Sequence, residues 1–96
     1  MSRFDAGTTD VPSAGTAVQL SNTVDRVIWI RVSARTGISG AVYFGRSDVS
    51  SSNGYELSAN DHLEIDFRPG SEAFSAFYVD ASTNGNDLDW AVQLEH

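Results

Sequence analysis

The stretch DHLEIDF, residues 61–67, decides the fold class of this chain. Apolar side chains fill every second position and charged or polar ones fill the positions between: Leu63, Ile65 and Phe67 against His62, Glu64 and Asp66. Successive side chains of a strand point to opposite faces, so this pattern predicts a strand with one buried face.

The same alternation recurs along the rest of the chain. It appears, in order, in TAVQL (16–20), RVIWIRV (26–32), AVYFGR (41–46), SAFYVD (75–80) and LDWAVQL (88–94). Clusters of Gly, Asn, Asp and Pro separate these runs, and no segment sustains a helical period. We therefore predict an all-β fold: a single-domain antiparallel β-sandwich, jelly-roll-like or Ig-like, of about seven to eight strands.

Three segments follow from this pattern. The β-sandwich domain is expected over residues 16–94. Residues 1–15 are small, polar and punctuated by Gly and Pro, which predicts a flexible N-terminal arm. Residues 95–96 close the sequence LEH and are interpreted as the remnant of a purification tag.

Composition excludes several classes of function. The net charge is −7, no lysine is present and the six arginines are scattered, so nucleic-acid binding is not expected. No apolar run of about 18 residues is present, which predicts no membrane span. The first 15 residues also lack the apolar segment of a signal peptide. Without cysteine the chain has neither disulfides nor thiolate metal ligands.

The segment YVDASTNGNDLDW, residues 78–90, raises the question of a metal loop. Its oxygen-bearing residues Asp80, Ser82 and Asn84 are spaced like the first three ligands of an EF-hand loop, but the twelfth position is Ala91 rather than an acid. Asp87 or Asp89 would serve only in another geometry. Calcium and a plain turn remain alternatives, and no other cofactor is expected. Asn84-Gly85, like Asn53-Gly54, predicts a type I′ hairpin turn.

An enzyme is not predicted. The sequence lacks the G-x-S-x-G, P-loop, H-E-x-x-H and Rossmann patterns. His62 alternates with acids on an expected solvent face, where a surface role outweighs catalysis.

Trp29 marks a candidate interface. In RVIWIRV, period 2 places Ile28, Ile30 and Val32 on one face, which leaves Val27, Trp29 and Arg31 on the other. This arrangement indicates either a strand buried on both sides or an exposed patch that binds a partner. Tyr43, which faces away from Val42 and Phe44, is expected to extend such a patch.

Three segments carry a resemblance: GTAVQLS, VYFGRSDVSSSNGYELSAND and FYVDASTNGNDLDWAVQL. Together they resemble small β-rich virion proteins of tailed bacteriophages, over residues 15–94. The resemblance implies a protein similar to capsid decoration or cement proteins, which binds the major capsid protein on the capsid outer surface as a homo-oligomer, expected to be a trimer. Arg46 departs from the pattern, where a smaller residue is expected.

A second interpretation belongs to another functional class. A tail- or head-fibre-associated module would recognise a host surface glycan. The loops 47–54 and 81–87 would then form the site, with Tyr55 or Tyr78 stacking on a sugar ring.

Overall fold

A computed structural model describes residues 2–68 and 72–95, and nearly all of its regular structure is β. Among these residues the one helical turn is a short 3-10 segment, Phe74–Ala76. The strands are β1 (Ser2–Val11), β2 (Val18–Gln19), β3 (Arg26–Ala34), β4 (Ala41–Gly45), β5 (Tyr55–Ser58), β6 (His62–Asp66), β7 (Tyr78–Ala81) and β8 (Asn86–Glu95). The predicted all-β class and strand number are confirmed.

The strands form two four-stranded antiparallel sheets. Sheet A has the order β1-β8-β3-β6 and sheet B the order β2-β7-β4-β5. Chain-consecutive strands therefore alternate between the sheets, except at the β4–β5 hairpin, where both strands belong to sheet B. This is the strand order of an eight-stranded jelly roll, so of the two predicted sandwich types the jelly roll is the one observed.

The core lies between the two sheets. Fully buried apolar side chains come from both inner faces and include Ile30, Val42, Leu57, Phe74, Val79, Leu88, Val92 and Leu94. The rings of Phe44 and Phe77 stack with centroids 5.5 Å apart inside sheet B. Leu63, Ile65 and Phe67 of the DHLEIDF stretch pack against this core, while their alternate neighbours are exposed, as the sequence predicts.

Strand β3 contains a β-bulge that changes the predicted faces. The pairing of β3 with β8 shifts between Val27 and Trp29, so Ile28 is the extra residue. An extra residue reverses the inward and outward alternation on one side of the bulge. As a result Val27 points into the core together with Ile30 and Val32, and the expectation that Val27 lies beside Trp29 on the opposite face is wrong.

The segment predicted to be a flexible arm is a strand over most of its length. Ser2–Val11 pairs with β8 without interruption, from Ser2 opposite Glu95 to Val11 opposite Asn86. Side-chain periodicity does not reveal this strand because its inner face carries Arg3, Asp5 and Gly7 before any buried residue. Glu95 completes the partner strand, and His96 lies outside the described residues.

Neither Asn-Gly pair forms the predicted type I′ turn. That turn needs positive φ at both central residues, yet Asn60 is the one described residue other than glycine with positive φ. Residues 46–54 form a long loop that joins β4 to β5 within sheet B. Residues 82–85 instead carry the chain from β7 in sheet B to β8 in sheet A, with Gly85 at φ +86°.

Candidate functional site

The outer face of sheet A is the most distinctive exposed surface of the protein. The strand register aligns its side chains in three cross-strand rows. The rows are Phe4, Gln93, Trp29 and Asp66; then Ala6, Ala91, Arg31 and Glu64; then Thr8, Asp89, Ser33 and His62. No described residue covers this face, so its aromatic, small and charged side chains meet solvent.

Trp29 and Arg31 are the two predicted interface residues that lie on this face. The Trp29 indole is half-buried, and its Nε1–H donates a hydrogen bond to Glu64 Oε2 at 3.2 Å. Arg31 is exposed and has no ion-pair partner within the described residues. An unpaired guanidinium beside an oriented indole is available to an external partner.

Tyr43 does not extend the patch. It belongs to β4 of sheet B and is buried beneath the loop 46–54, against Val49. Gly54 closes this arrangement, because a Cβ there would approach the Tyr43 Cβ to 2.8 Å. The loop therefore forms a second small core on the outer face of sheet B. The alternation of side chains along β4 does not by itself predict this core.

Phe4 is the aromatic residue of this face that the sequence interpretation misses. It is 68% exposed and shares a row with Trp29 across Gln93. The alternation of Phe4, Ala6 and Thr8 with charged or small neighbours carries the only signal, and it is weak because the inner face of β1 begins with the polar residues Arg3 and Asp5.

The candidate calcium ligands Asp80, Ser82 and Asn84 each accept hydrogen bonds from backbone N–H groups. Asp80 is buried and accepts hydrogen bonds from the N–H groups of Gly15 at 2.9 Å and Ala81 at 2.7 Å. Ser82 Oγ accepts from Ala41 N–H at 2.9 Å, and Asn84 Oδ1 accepts from Ala14 N–H at 2.7 Å. Asp80 and Asn84 thus bind the loop that follows β1, and Ser82 binds the first residue of β4. Within the described residues no group of three or more acids or histidines is arranged to hold a metal ion.

Asp87 belongs to a different cluster, at the end of the β1–β8 ladder. It lies directly opposite Asp10, and Arg35 approaches it with Nη1 3.9 Å from its Oδ2. Arg35 bonds more closely to Asp89, from Nε to Oδ1 at 3.0 Å. Partial burial, followed by the hydrogen bond and the negative charge of Asp10, raises the pKa of Asp87 above its ordinary value of 3.8, against the opposing effect of Arg35.

The third row of the outer face contains a serine, a histidine and an aspartate, but in the wrong order for catalysis. Ser33 lies between Asp89 and His62, whereas a hydrolytic triad needs the histidine in contact with both other groups. Asp89 instead accepts hydrogen bonds from Arg35 and Thr8. No side-chain hydrogen bond joins these three described residues to one another, so the row is not an assembled nucleophile.

The two loops of the glycan hypothesis do not form one site. In the β4–β7 ladder Ala81 pairs with Val42 and Tyr78 pairs with Gly45. The loop 81–87 therefore lies beside the start of β4, whereas the loop 47–54 follows its end. Tyr78 is partly buried against the Tyr43 cluster. Tyr55, in contrast, is 54% exposed at the start of β5.

Tyr55 lines an open groove that continues around the edge strand β6. One part, of about 390 Å³, includes Tyr55, Asn60 and His62. The next part, of about 520 Å³, shares Asn60 and His62 and adds Arg31 and Arg35. Asn60 has φ 72°, and its side-chain oxygen accepts a hydrogen bond from the Thr36 hydroxyl. Sparsely populated backbone conformations of this kind cluster at functional sites.

Arg46, which departs from the pattern of the resemblance, is tied to the protein itself. Its Nη2 lies 2.8 Å from Glu72 Oε1, and its guanidinium is 5.9 Å from the centre of the Phe77 ring. The side chain thus links the 46–54 loop to the segment before β7.

No protein family matches the chain, and no curated protein matches it. Among the described residues, no helix has the length and apolar character that crossing a membrane requires.

Proposed function

We propose that the chain is a non-enzymatic bacteriophage virion protein, a decoration or cement subunit that binds the outer surface of the capsid as a homo-oligomer. The observation that carries this proposal is the uncovered outer face of sheet A. Its first row presents Phe4 and Trp29, and Arg31 follows in the second row. Aromatic residues and arginine are the residue types most enriched in interface cores.

The fold and the sequence resemblance support the same assignment. Eight-stranded jelly rolls are common in viral capsid proteins, although a fold alone does not specify a function. The resemblance to phage virion proteins spans residues 15–94, which takes in every strand from β2 to β8. A structural subunit of this kind needs no catalytic set, cofactor or cysteine.

The charge of the molecule suits a surface subunit that binds in many copies. The net charge of −7 favours solubility at the high local concentration of a many-copy assembly. On a capsid, modest contacts from each copy are multiplied by the number of copies that assemble together. The proposed partner is the major capsid protein, and the proposed location is the outside of the virion.

Capsid binding by single-residue variants tests this proposal. We expect Trp29→Ala and Phe4→Ala each to weaken co-sedimentation with capsids of the same phage, Trp29→Ala by at least tenfold, since removing a hot-spot side chain costs about 2 kcal/mol or more. Val24→Ala is the matched control, because Val24 is an apolar residue 73% exposed in the loop before β3 and belongs to none of the three rows. Unchanged binding by both aromatic variants would contradict the proposal.

The groove around β6 favours a second candidate function, a glycan-binding module. An exposed tyrosine ring beside asparagine and histidine side chains, with two arginines in the adjoining part of the groove, offers both a stacking platform and hydrogen-bonding groups for a saccharide. A glycan array followed by titration of Tyr55→Ala distinguishes the two functions. Saturable sugar binding that Tyr55→Ala abolishes and Trp29→Ala preserves would establish the groove as the functional site, whereas an array without hits would remove this candidate.

A further inference from the structure

Strand β1 is unlike the other sheet edges of this protein. Three of the four edge strands are short, with two residues in β2, four in β5 and five in β6. The fourth, β1, has ten residues and pairs with β8 without a bulge. Proteins normally shorten, bend or cover edge strands, because an open edge is a template for pairing with another chain. No described residue pairs with the outer edge of β1.

The backbone groups that β1 presents at this open edge can be assigned. Ala6 N–H donates to the side chain of Asp5 at 3.0 Å, so it points away from β8. The Val11 carbonyl accepts from Gly85 N–H at 2.8 Å, so it points toward the β8 side. Because the direction alternates along a strand, the even-numbered residues turn their backbone N–H and C=O groups outward.

We propose that β1 pairs antiparallel with β1 of a second copy of the chain, about a two-fold axis at Ala6. The inference rests on the proposed function for one premise, that copies of the chain associate with one another. Each outward-facing residue then exchanges two backbone hydrogen bonds with its opposite number. The two sheets A join into one continuous sheet, and their outer faces form one surface.

Ladder length and side-chain complementarity together favour this register: axes at Phe4 and Thr8 would pair only residues 2–6 and 5–11 of β1, whereas an axis at Ala6 pairs residues 2–10. A two-fold axis at Ala6 places Ala6 opposite itself, Phe4 opposite Thr8 and Asp5 opposite Gly7, so no like charges oppose each other. An axis at Asp5 would oppose two carboxylates, and an axis at Gly7 would place the Phe4 ring against Asp10. Cross-strand neighbours of like charge are destabilising, whereas an aromatic residue against threonine is favourable.

Asp5 regulates access to this edge. Its carboxylate occupies the Ala6 N–H in the single chain and must release that group before a second copy can bind. An inward-facing charge on an edge strand is a known device against uncontrolled pairing. Asp5→Ala is therefore expected to strengthen self-association, since it frees a backbone donor at the centre of the pairing site.

Single-cysteine cross-linking tests the register directly, because the chain has no cysteine of its own. Opposed residues in a hydrogen-bonded antiparallel pair have Cα atoms about 5.5 Å apart, within the range that a disulfide spans. We expect Ala6→Cys to form a covalent dimer on mild oxidation or with a short bis-thiol reagent. Phe4→Cys should not, since the two copies of position 4 would lie about 14 Å apart along the strands.

Mixing two variants and measuring the mass in solution complete the test. Phe4→Cys mixed with Thr8→Cys should give the mixed disulfide, and Ala6→Lys, which opposes two cations, should reduce dimer formation at least tenfold. Val24→Lys carries the same charge change on an exposed loop and should not affect the dimer. Equal cross-linking of Ala6→Cys, Phe4→Cys and a control Val24→Cys, or a solution mass of three copies as the sequence resemblance implies, would overturn the pairing.

Capsid binding separates this inference from the proposed function. If Ala6→Cys fails to cross-link while the wild-type protein binds capsids, the β1 pairing is wrong and the proposed function stands. If Ala6→Cys cross-links in the expected register while the wild-type protein does not bind capsids, the pairing stands and the decoration function is wrong.

Discussion

At the scale of single residues, buried polar side chains hold the jelly roll together where strand pairing cannot. Asn86 is the clearest case, because its side chain lies between the sheets and connects β8 to the segment before β4. Its Nδ2 donates to the Ser39 carbonyl at 2.7 Å and to the Ala41 carbonyl at 3.4 Å, and its Oδ1 accepts from Ser39 N–H at 3.3 Å. The Asn84-Gly85 motif just before it predicts a turn, but the residue whose side chain stabilises the fold is Asn86.

Asn86→Ala should therefore destabilise the protein by about 1–3 kcal/mol, because it removes the hydrogen bonds of a buried side chain and leaves the Ser39 N–H and C=O without this partner, while the Ala41 carbonyl keeps its bond from Ser82 N–H. For a chain of this length that corresponds to a fall in melting temperature of roughly 4–8 °C per kcal/mol. Chemical denaturation with Asn22→Ala as the control measures the difference, since Asn22 is exposed. Equal stability of the two variants would show that water replaces the Asn86 bonds.

Asp87 should make the protein less stable as pH rises, whereas an acid stabilised by a salt bridge makes a protein more stable as pH rises. Its folded-state pKa is raised above 3.8, so ionisation disfavours the folded state, and the stability it contributes at low pH is lost as pH rises through the folded-state pKa. Asp87→Asn should stabilise the protein at pH 7, by a few tenths to about 1 kcal/mol for relief of the cross-strand pair with Asp10.

The gain from Asp87→Asn should shrink as pH falls toward 3.8 and below, where the wild-type carboxyl is itself protonated. Urea unfolding at several pH values measures this, with the exposed Asp48→Asn as the control for net charge. High salt should reduce the gain because Asp87 is partly exposed. A stability loss at pH 7 would mean that the ion pair with Arg35 outweighs the repulsion.

At the scale of strands, the sequence predicts those strands that have one apolar and one polar face. It does not predict the features that depend on contacts with other strands. DHLEIDF and LDWAVQL alternate cleanly, and both are strands that bury the expected residues. The bulge at Ile28 escapes prediction because RVIWIRV is apolar on both faces, so either register satisfies the pattern. Strand β1 escapes because its pairing with β8, rather than its own composition, stabilises it.

The same limits apply to the candidate site. Trp29 and Arg31 lie on one exposed surface, as the strand period predicts, because residues two apart share a face. Tyr43 also points away from the main core, as the strand period predicts. It is nevertheless buried, because the loop 46–54 covers it. Phe4 could be assigned to the surface only after β1 was known to be a strand. Deleting residues 1–12 would therefore remove an edge strand of sheet A and cannot serve as a test of binding alone.

Gly7 shows how β1 and β8 fit together, and it gives a prediction at this scale. A Cβ at Gly7 would lie 2.6 Å from Trp90 Cζ2. The indole is held there by a hydrogen bond from its Nε1–H to Thr9 Oγ1 at 3.0 Å and by an edge contact with Phe74. Gly7→Val should displace the ring and cost about 1–3 kcal/mol, as overpacking of a well-filled site does.

Denaturation monitored by tryptophan fluorescence measures the effect of Gly7→Val, in a Trp29→Phe background so that Trp90 alone emits. Ala6→Val is the matched control, because the adjacent side chain points to the exposed outer face and its substitution should change stability by no more than about 0.5 kcal/mol. An unchanged Trp90 emission in Gly7→Val would contradict the close approach of β1 to the indole.

At the scale of the whole molecule, a chain of 96 residues has little stability to spare, and association of copies is a direct way to add to it. If β1 edges pair, the folded dimer is favoured by mass action and the melting temperature depends on protein concentration. Raising the concentration about a hundredfold above the dissociation constant adds at most about 2.7 kcal/mol. At roughly 4–8 °C per kcal/mol, the melting temperature should rise by more than 5 °C.

Calorimetry over that concentration range checks the expectation, and three variants make it specific. Ala6→Lys should melt at a temperature independent of concentration, Asp5→Ala should show the rise at lower concentrations than the wild-type protein, and Val24→Lys should behave as wild type. We attribute these differences between the variants to pairing at the open edge of β1, since none of the three side chains contributes to the core. If the melting temperature of Ala6→Lys still depends on concentration, the copies associate through another surface. The row that contains Phe4 and Trp29 would then be the next surface to test.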